Sequence, residues 1–144
     1  MSKADDAVAI FDSSFSCSQS VLDAFAGDFG LDSDTALKIA CGFGGGMGRM
    51  GGVCGALTGA YMVLGLQYSA GELETVKTKS ETYKIVKEFT ERFKERNGHI
   101  TCTDLLGIDI STQEGHDQAQ KQKLFTTRCP VFVRDAAALL EEIL

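Results

Sequence analysis

Cysteine is the residue type in this chain with the widest chemistry, and two of its five cysteines sit in nearly identical local sequences. The segment 16–19 reads Ser-Cys-Ser-Gln, which has the form of a helix capping box with Ser16 at the N-cap. The segment 101–104 reads Thr-Cys-Thr-Asp and repeats the arrangement with a weaker acid at the third helical position. Both patterns predict a cysteine, Cys17 or Cys102, in the first turn of a helix.

Two further cysteines are also predicted at helix starts, and the fifth is not. Cys129 precedes Pro130, and proline suits the first position of a helix. Cys54 follows Gly-Gly-Val near the beginning of a long uncharged segment. Cys41 falls instead at the C-terminal end of a predicted helix, where the helix dipole disfavours a thiolate. We therefore expect Cys41 to be a structural thiol.

The first turn of a helix favours the ionised form of a cysteine, because its N–H groups are unpaired and it carries about half a positive charge. This setting lowers the pKa of a thiol from about 8.5 into the range of roughly 3.5 to 7.5. Since the thiolate attacks disulfides and binds metals, the four cysteines predict either redox-active thiols or a metal site. A single buried cysteine is more commonly an apolar core residue, but that alternative does not explain four at helix starts.

The spacing of the cysteines excludes several familiar sites. The chain has no Cys-x-x-Cys, so it lacks a thioredoxin-type motif and a zinc ribbon, and it has no Cys-x-x-Cys-His for covalent haem. The spacing of bacterial ferredoxins is also absent. An Fe–S cluster or a zinc ion would therefore need ligands brought together by the fold, and the candidates are Cys17, Cys54, Cys102 and Cys129. The two histidines, His99 and His116, are expected at the surface, with His99, three residues before Cys102, as an alternative metal ligand.

A glycine-rich loop precedes the predicted helix that Cys54 begins. Nine of the 16 glycines fall between Gly42 and Gly59. Glycine-rich turns before a helix can present backbone N–H groups to an anion, and an arginine would add charge. The candidate residues for such a cofactor or anion site are Gly44, Gly45, Gly46 and Arg49. A tight loop that lets backbone pack beside the cysteines is the alternative, since no Gly-Lys-Ser/Thr follows and no strand precedes it.

Composition limits the classes of partner. The chain has 144 residues and a formal net charge of −6, which argues against nucleic acid and anionic membrane surfaces. Its polar, acidic start lacks the features of a signal peptide, so we expect a cytoplasmic protein, where structural disulfides are rare. The uncharged segment 50–71 is long enough to cross a bilayer, but its six glycines favour a buried central helix over a membrane span.

Helical periodicity and stop signals predict an all-α protein, a single domain over residues 1–144 that forms a compact helical bundle. Ser33 or Asp34 is the expected cap of the third helix, and 131–133 could alternatively form a short strand. Glycines recur at 51, 55 and 59, which predicts a tight helix crossing or a dimer contact on that face. The predicted helices span 4–11, 17 to 27 or 30, 33–40, 52–66, 72–97, 102–106, 112–123 and 130–143.

The segment 42–59 resembles the signature of the C_GCAxxG_C_C family, a bacterial and archaeal family of proteins of about this length. The Cys-Gly-Ala-x-x-Gly motif lies at 54–59, and the flanking family cysteines match Cys17, Cys102 and Cys129. Cys41 is an addition to that pattern. The resemblance covers nearly the whole chain and implies a redox role, without a firmly assigned reaction.

Three functions follow as hypotheses. The first is a cysteine-based redox or electron-transfer protein that works with an unidentified redox partner, with Cys17–Cys54 and Cys102–Cys129 as candidate pairs. The second is a metal-binding protein with a four-cysteine Fe–S or zinc site. The third is a structural homodimer without catalysis. The sequence does not decide whether the protein is an enzyme.

Overall fold

The computed structural model describes residues 2–69 and 75–144, and this part of the chain is all-α. Short 3₁₀ turns, Gly27–Phe29 and Cys41–Phe43, follow the second and third helices. In chain order the helices are α1 (Lys3–Asp12), α2 (Cys17–Ala26), α3 (Ser33–Ala40), α4 (Gly55–Tyr68), α5 (Thr75–Asn97), α6 (Cys102–Leu106), α7 (Gln113–Lys121), α8 (Leu124–Thr127) and α9 (Cys129–Ile143).

The predicted helices are present, with differences at their ends. Helix α3 is capped by Asp32, whose carboxylate accepts from the Thr35 N–H at 3.0 Å, so the expected caps at Ser33 and Asp34 are wrong. The segment 131–133 is helical within α9, and the short helix α8 was not predicted. The predicted start of α5 at 72 lies outside the described residues.

Helix α4 is the central element, and its small residues allow α2 to cross it closely. A Cβ added at Gly59 would lie 2.7 Å from the backbone oxygen of Ser18 on α2, and one at Gly55 would lie 2.9 Å from the Ser18 nitrogen. The glycines at 55 and 59 therefore form the tight crossing predicted from their spacing. Gly51 lies outside α4, and the helix face that a dimer would have used is covered by α2 of the same chain.

Aromatic and aliphatic side chains from the long helices close the core around α4. Phe89 and Phe93 of α5 are fully buried. Phe89 makes an edge-on contact with Tyr61 of α4 at 6.5 Å between ring centroids, and Phe93 makes one with Phe132 of α9 at 6.4 Å. Helix α9 also packs against α1, so the core joins both ends of the chain.

Among residues 2–69 and 75–144, no helix is long and apolar enough to cross a bilayer. The uncharged segment 50–71 contains all of α4 instead, and buried residues occur on all sides of that helix.

Candidate functional site

A short antiparallel contact aligns the starts of α4 and α6. Val53 and Thr101 form an isolated β-bridge. The Cys54 N–H donates to the Ile100 carbonyl at 2.8 Å, and the Cys102 N–H donates to the Gly52 carbonyl at 2.7 Å. The two cysteines are thus held on neighbouring segments although they are far apart in sequence. This pairing also explains why α4 begins at Gly55 and not at the predicted residue 52.

The capping box of α2 positions Cys17 above the start of α4. The Ser16 N–H donates to Gln19 Oε1 at 2.9 Å, and the Gln19 N–H donates to Ser16 Oγ at 3.4 Å, as the sequence predicted. A Cβ added at Gly55 would lie 3.1 Å from the Cys17 Cβ. Cys17 therefore contacts the residue that directly follows Cys54.

The four cysteines occupy the predicted places at helix starts. Cys17, Cys102 and Cys129 are the first residues of α2, α6 and α9, and Cys54 is the N-cap of α4. Cys54, Cys102 and Cys129 are buried, Cys17 is half-buried and Cys41 is exposed. All five lie within the described residues as free thiols.

Cys54 is the thiol best suited to ionise. The neighbouring Cys17 thiol is the main cause of a pKa below the ordinary value of 9.0, because it donates to the Cys54 thiolate. Burial opposes this effect, while the backbone N–H groups of Ala56 and Leu57 in the first turn of α4 add to it. The helix start therefore acts on Cys54 as the sequence predicted.

For Cys17 and Cys102 the expectation of a lowered pKa is wrong. Interactions with the Cys129 and Cys54 thiols, followed by burial, hold the pKa of Cys17 well above its ordinary value. Burial raises the pKa of Cys102 to about 12, and the charges of Cys54 and Cys129 contribute. A helix start stabilises one thiolate, but a second negative charge beside it in a buried cluster is unfavourable.

The raised pKa of Cys102 predicts a loss of stability at alkaline pH. Above pH 9.0 the unfolded chain releases the Cys102 proton while the folded chain retains it up to about pH 12. The free energy of unfolding should therefore fall by about 1.4 kcal/mol per pH unit in this window from this group alone. Urea unfolding of wild type and Cys102→Ala between pH 8 and 10.5 isolates the contribution, because the variant should show a shallower decline. Equal slopes would contradict the assignment.

One cavity of about 860 Å³ connects the thiols with the glycine loop. Its wall includes the candidate anion-binding residues Gly44, Gly45, Gly46 and Arg49. Aromatic side chains from separate parts of the chain supply an apolar portion: Phe11, Phe15, Phe125 and Phe132. All five cysteines also line the cavity, including Cys41, which is exposed.

Sequence reasoning missed His116. Its side chain is only 18% exposed, it lines the cavity and its ring lies 5.2 Å from that of Phe125. The buried Nδ1 has no hydrogen-bond partner among the described residues, and the nearest carboxylate oxygen, on Asp117, is 3.8 Å away. The buried Ala119 one turn later is the only local sign of an inward face in this polar helix. His99 is exposed, as expected.

The glycine loop has an unusual backbone. Five consecutive residues, 45–49, have φ between +59° and +70°, and two of them, Met47 and Arg49, are not glycine. The turn is closed by the Arg49 N–H, which donates to the Gly44 carbonyl at 2.9 Å, and by the Gly52 N–H, which donates to the Gly46 carbonyl at 2.9 Å. Left-handed conformations normally occur as single residues, so this run needs its glycines.

The metal hypothesis finds no support in the donor geometry. In the described ranges 2–69 and 75–144, no group of three or more His, Cys, Asp or Glu side chains is arranged to hold a metal ion. The candidate ligands Cys17, Cys54, Cys102 and Cys129 face one cavity without forming such a set.

Fold and site together define an all-helical protein with free thiols along the wall of one cavity. The chain belongs to the C_GCAxxG_C_C family, whose description is "putative redox-active protein". The family model matches residues 15–143. No curated protein and no solved structure matches the chain. Family membership supports a general redox role.

Proposed function

We propose that this protein is a thiol–disulfide exchange protein in which Cys54 is the attacking thiolate and Cys17 the resolving thiol. The observation that carries the proposal is the cavity wall itself, where thiols from four helix starts meet. Within that group a thiol with a lowered pKa lies beside a thiol with a raised pKa: the Cys17 thiol lowers the pKa of Cys54, and the Cys129 and Cys54 thiols raise the pKa of Cys17. A nucleophile and a protonated neighbour are what a two-step exchange requires.

In the first step the Cys54 thiolate attacks one sulfur of a disulfide in the cavity. The disulfide bond breaks, one half leaves as a thiolate, and Cys54 becomes part of a mixed disulfide. The negative charge on Cys54 disappears in this step. Because that charge helps to keep Cys17 protonated, its loss makes Cys17 easier to ionise.

In the second step Cys17 transfers its proton to the departed thiolate and attacks the Cys54 sulfur. A Cys17–Cys54 disulfide forms, and the second half of the substrate leaves as a thiolate. The substrate disulfide has gained two electrons and the protein thiols have lost two. A dithiol reductant, acting as the redox partner, would return the protein to its starting state.

Cys129 and Cys102 form the second candidate pair. Cys17 interacts with Cys129 as well as with Cys54, so Cys129 can exchange with the first pair once Cys17 is oxidised. Cys102, with a pKa of about 12, would be the protonated member of the second pair.

Thiol counting tests the proposal. Reduced protein is treated under argon with a small excess of bis(2-hydroxyethyl) disulfide, and the remaining thiols are titrated under denaturing conditions. We expect a loss of about two thiols per chain at first, with the Cys17–Cys54 disulfide recovered by non-reducing peptide mapping. Cys41→Ser is the control and should lose the same number. An unchanged thiol count, or a disulfide that always includes Cys41, would contradict the proposal.

The same preparation checks the metal alternative. Anaerobically purified protein is analysed for iron and zinc and its visible spectrum is recorded. A metal-free, colourless protein with all thiols titratable agrees with thiol exchange. One Fe–S cluster or zinc ion per chain, bound through the four cysteines, would contradict thiol exchange and support the metal site.

A further inference from the structure

We propose that the thiol cavity binds a small disulfide that carries an anionic group, a carboxylate or a phosphate, and that Arg49 and the N–H groups of Gly45, Gly46 and Gly48 bind that group. The reactive part of this inference rests on the proposed exchange at Cys54. The anion site itself rests on separate features of the glycine loop and is tested separately.

Three backbone donors in the loop have no protein acceptor. Within the part of the chain that the structure describes, the N–H groups of Gly45, Gly46 and Gly48 make no hydrogen bond to backbone or side chain, whereas their neighbours do. All three residues line the cavity. Backbone N–H groups that a turn leaves without a protein acceptor form a donor surface of the kind that binds anions.

The glycines of this loop cannot carry side chains without losing that surface. A Cβ at Gly46 would lie 2.6 Å from the Gly52 nitrogen, and one at Gly45 would lie 2.9 Å from the Arg49 Cα. Both residues also have positive φ. The glycines therefore preserve a loop whose unpartnered donors belong to residues that line the cavity.

Arg49 adds a positive charge at the same place. Its side chain is exposed, lines the cavity and forms no ion pair with any residue in the ranges 2–69 and 75–144. It has φ +65°, a conformation that residues with a side chain seldom adopt. An arginine in a strained position, free of carboxylates in a chain of net charge −6, is available to an anion from outside.

The rest of the cavity indicates the size and character of the ligand. A volume of about 860 Å³ lies within the range of small-molecule sites. Phenylalanine rings provide an apolar wall for the carbon chain of a ligand, and the thiols provide the reactive wall. The buried, unpartnered Nδ1 of His116 is an additional polar group available to the ligand. A small disulfide with an apolar carbon chain and one or two anionic ends matches the volume, the apolar wall, the thiols and the polar groups of this cavity.

Three disulfides of similar length but different charge test the reactive part. The probes are 3,3′-dithiodipropionate, bis(2-hydroxyethyl) disulfide and cystamine, which are anionic, neutral and cationic, and the rate of thiol loss is measured with each. We expect Arg49→Gln to lower the rate of thiol loss with dithiodipropionate about tenfold, since a hydrogen bond to a charged group contributes about that factor. The rate with the neutral disulfide should change less than about twofold.

Two further variants distinguish an anion-binding site at Arg49 from an effect of the overall charge of the protein. Arg49→Lys keeps the charge and should retain most of the rate with dithiodipropionate. Arg92→Gln removes the same charge from α5, outside the cavity, where Arg92 pairs with Glu88, and should have no effect. The inference is wrong if Arg92→Gln and Arg49→Gln lower the rate of thiol loss with dithiodipropionate equally. It is also wrong if wild type reacts at the same rate with all three disulfides.

Unreactive ligands separate this inference from the proposed function. Suberate, the carbon analogue of dithiodipropionate, and hexyl phosphate are titrated by calorimetry, with 1,6-hexanediol as the uncharged control. Binding of suberate or hexyl phosphate that is lost in Arg49→Gln supports the anion site even if no disulfide reacts, and the tighter of the two identifies the anionic group. Absence of binding, together with charge-independent disulfide reduction, overturns the anion site and leaves thiol exchange in place.

Discussion

Cys54→Ser is expected to remove the fastest-alkylated thiol of the native protein at pH 7, with peptide mapping of iodoacetamide adducts as the measurement. The loss in rate should be about tenfold for each unit by which the pKa of Cys54 lies below that of the remaining thiols, of which Cys41 is exposed. Cys54 carries the lowered pKa in the cluster, whereas the pKa values of Cys17 and Cys102 are raised. The substitution also removes the nucleophile of the first exchange step, so the two-thiol oxidation should be lost. If Cys54→Ser is oxidised as readily as wild type, another thiol is the nucleophile.

The pH dependence of Cys54 reactivity gives a sharper form of the same prediction. Because only the thiolate reacts, the rate falls about tenfold for each pH unit below the pKa and levels off above it. Cys17 is the main cause of the lowered pKa of Cys54. Cys17→Ala should therefore move the midpoint of the rate profile to higher pH and slow the alkylation of Cys54 at neutral pH.

Cys41→Ser is the matched control for the pH profile. Cys41 lines the same cavity but is not among the causes of the Cys54 pKa shift, so its removal should leave the midpoint unchanged. A Cys17→Ala profile that coincides with wild type, or that moves to lower pH, would show that Cys17 does not stabilise the Cys54 thiolate.

Local sequence signals predicted the helices and the places of the cysteines because the relevant forces act within a few residues. The capping box at 16–19 and the threonine cap of α6 satisfy N–H groups in the turn that they begin. The start of α4 was predicted too early because the residues before Cys54 pair with the segment around Thr101, a long-range contact with no local pattern.

The ionisation of the thiols depended on tertiary contacts and could not be predicted from helix dipoles alone. For Cys54 the Cys17 thiol is the main cause of the lowered pKa, and the N–H groups of its own helix add to it in the direction that the dipole predicts. The dipole argument fails for Cys17, because the groups that raise its pKa come from two other helices. His116 follows the same rule: α7 is polar, and the contact of the His116 ring with Phe125 of α8 has no local sequence pattern.

Gly59→Ala is expected to lower the free energy of unfolding by about 3 kcal/mol, the upper end of the usual cost of overpacking a core. The added methyl group would lie 2.7 Å from the Ser18 oxygen and 3.1 Å from the Ser18 Cα, both in the backbone of α2. Backbone atoms inside a helix cannot move aside as a flexible side chain can, so α2 must shift away from α4. Urea unfolding monitored by circular dichroism measures the change.

Gly65→Ala is the matched control, because it makes the same substitution in the same helix. No heavy atom lies within 4 Å of a Cβ at Gly65, and its φ is not positive. Alanine there should stabilise the protein by about 0.5–1 kcal/mol through its higher helix propensity. Equal effects of the two substitutions would mean that Gly59 does not set the distance between α2 and α4.

The Gly59 substitution also links the packing of α2 against α4 to the reaction between Cys17 and Cys54. Helix α2 carries Cys17 at its first residue and α4 follows directly on Cys54, so a shift of α2 separates the two thiols. Gly59→Ala should therefore slow formation of the Cys17–Cys54 disulfide even under conditions where the protein remains folded, while Gly65→Ala should not. The close helix crossing is then a requirement of the thiol pair as well as of the core, which accounts for glycines in the middle of a helix that would be more stable with alanine.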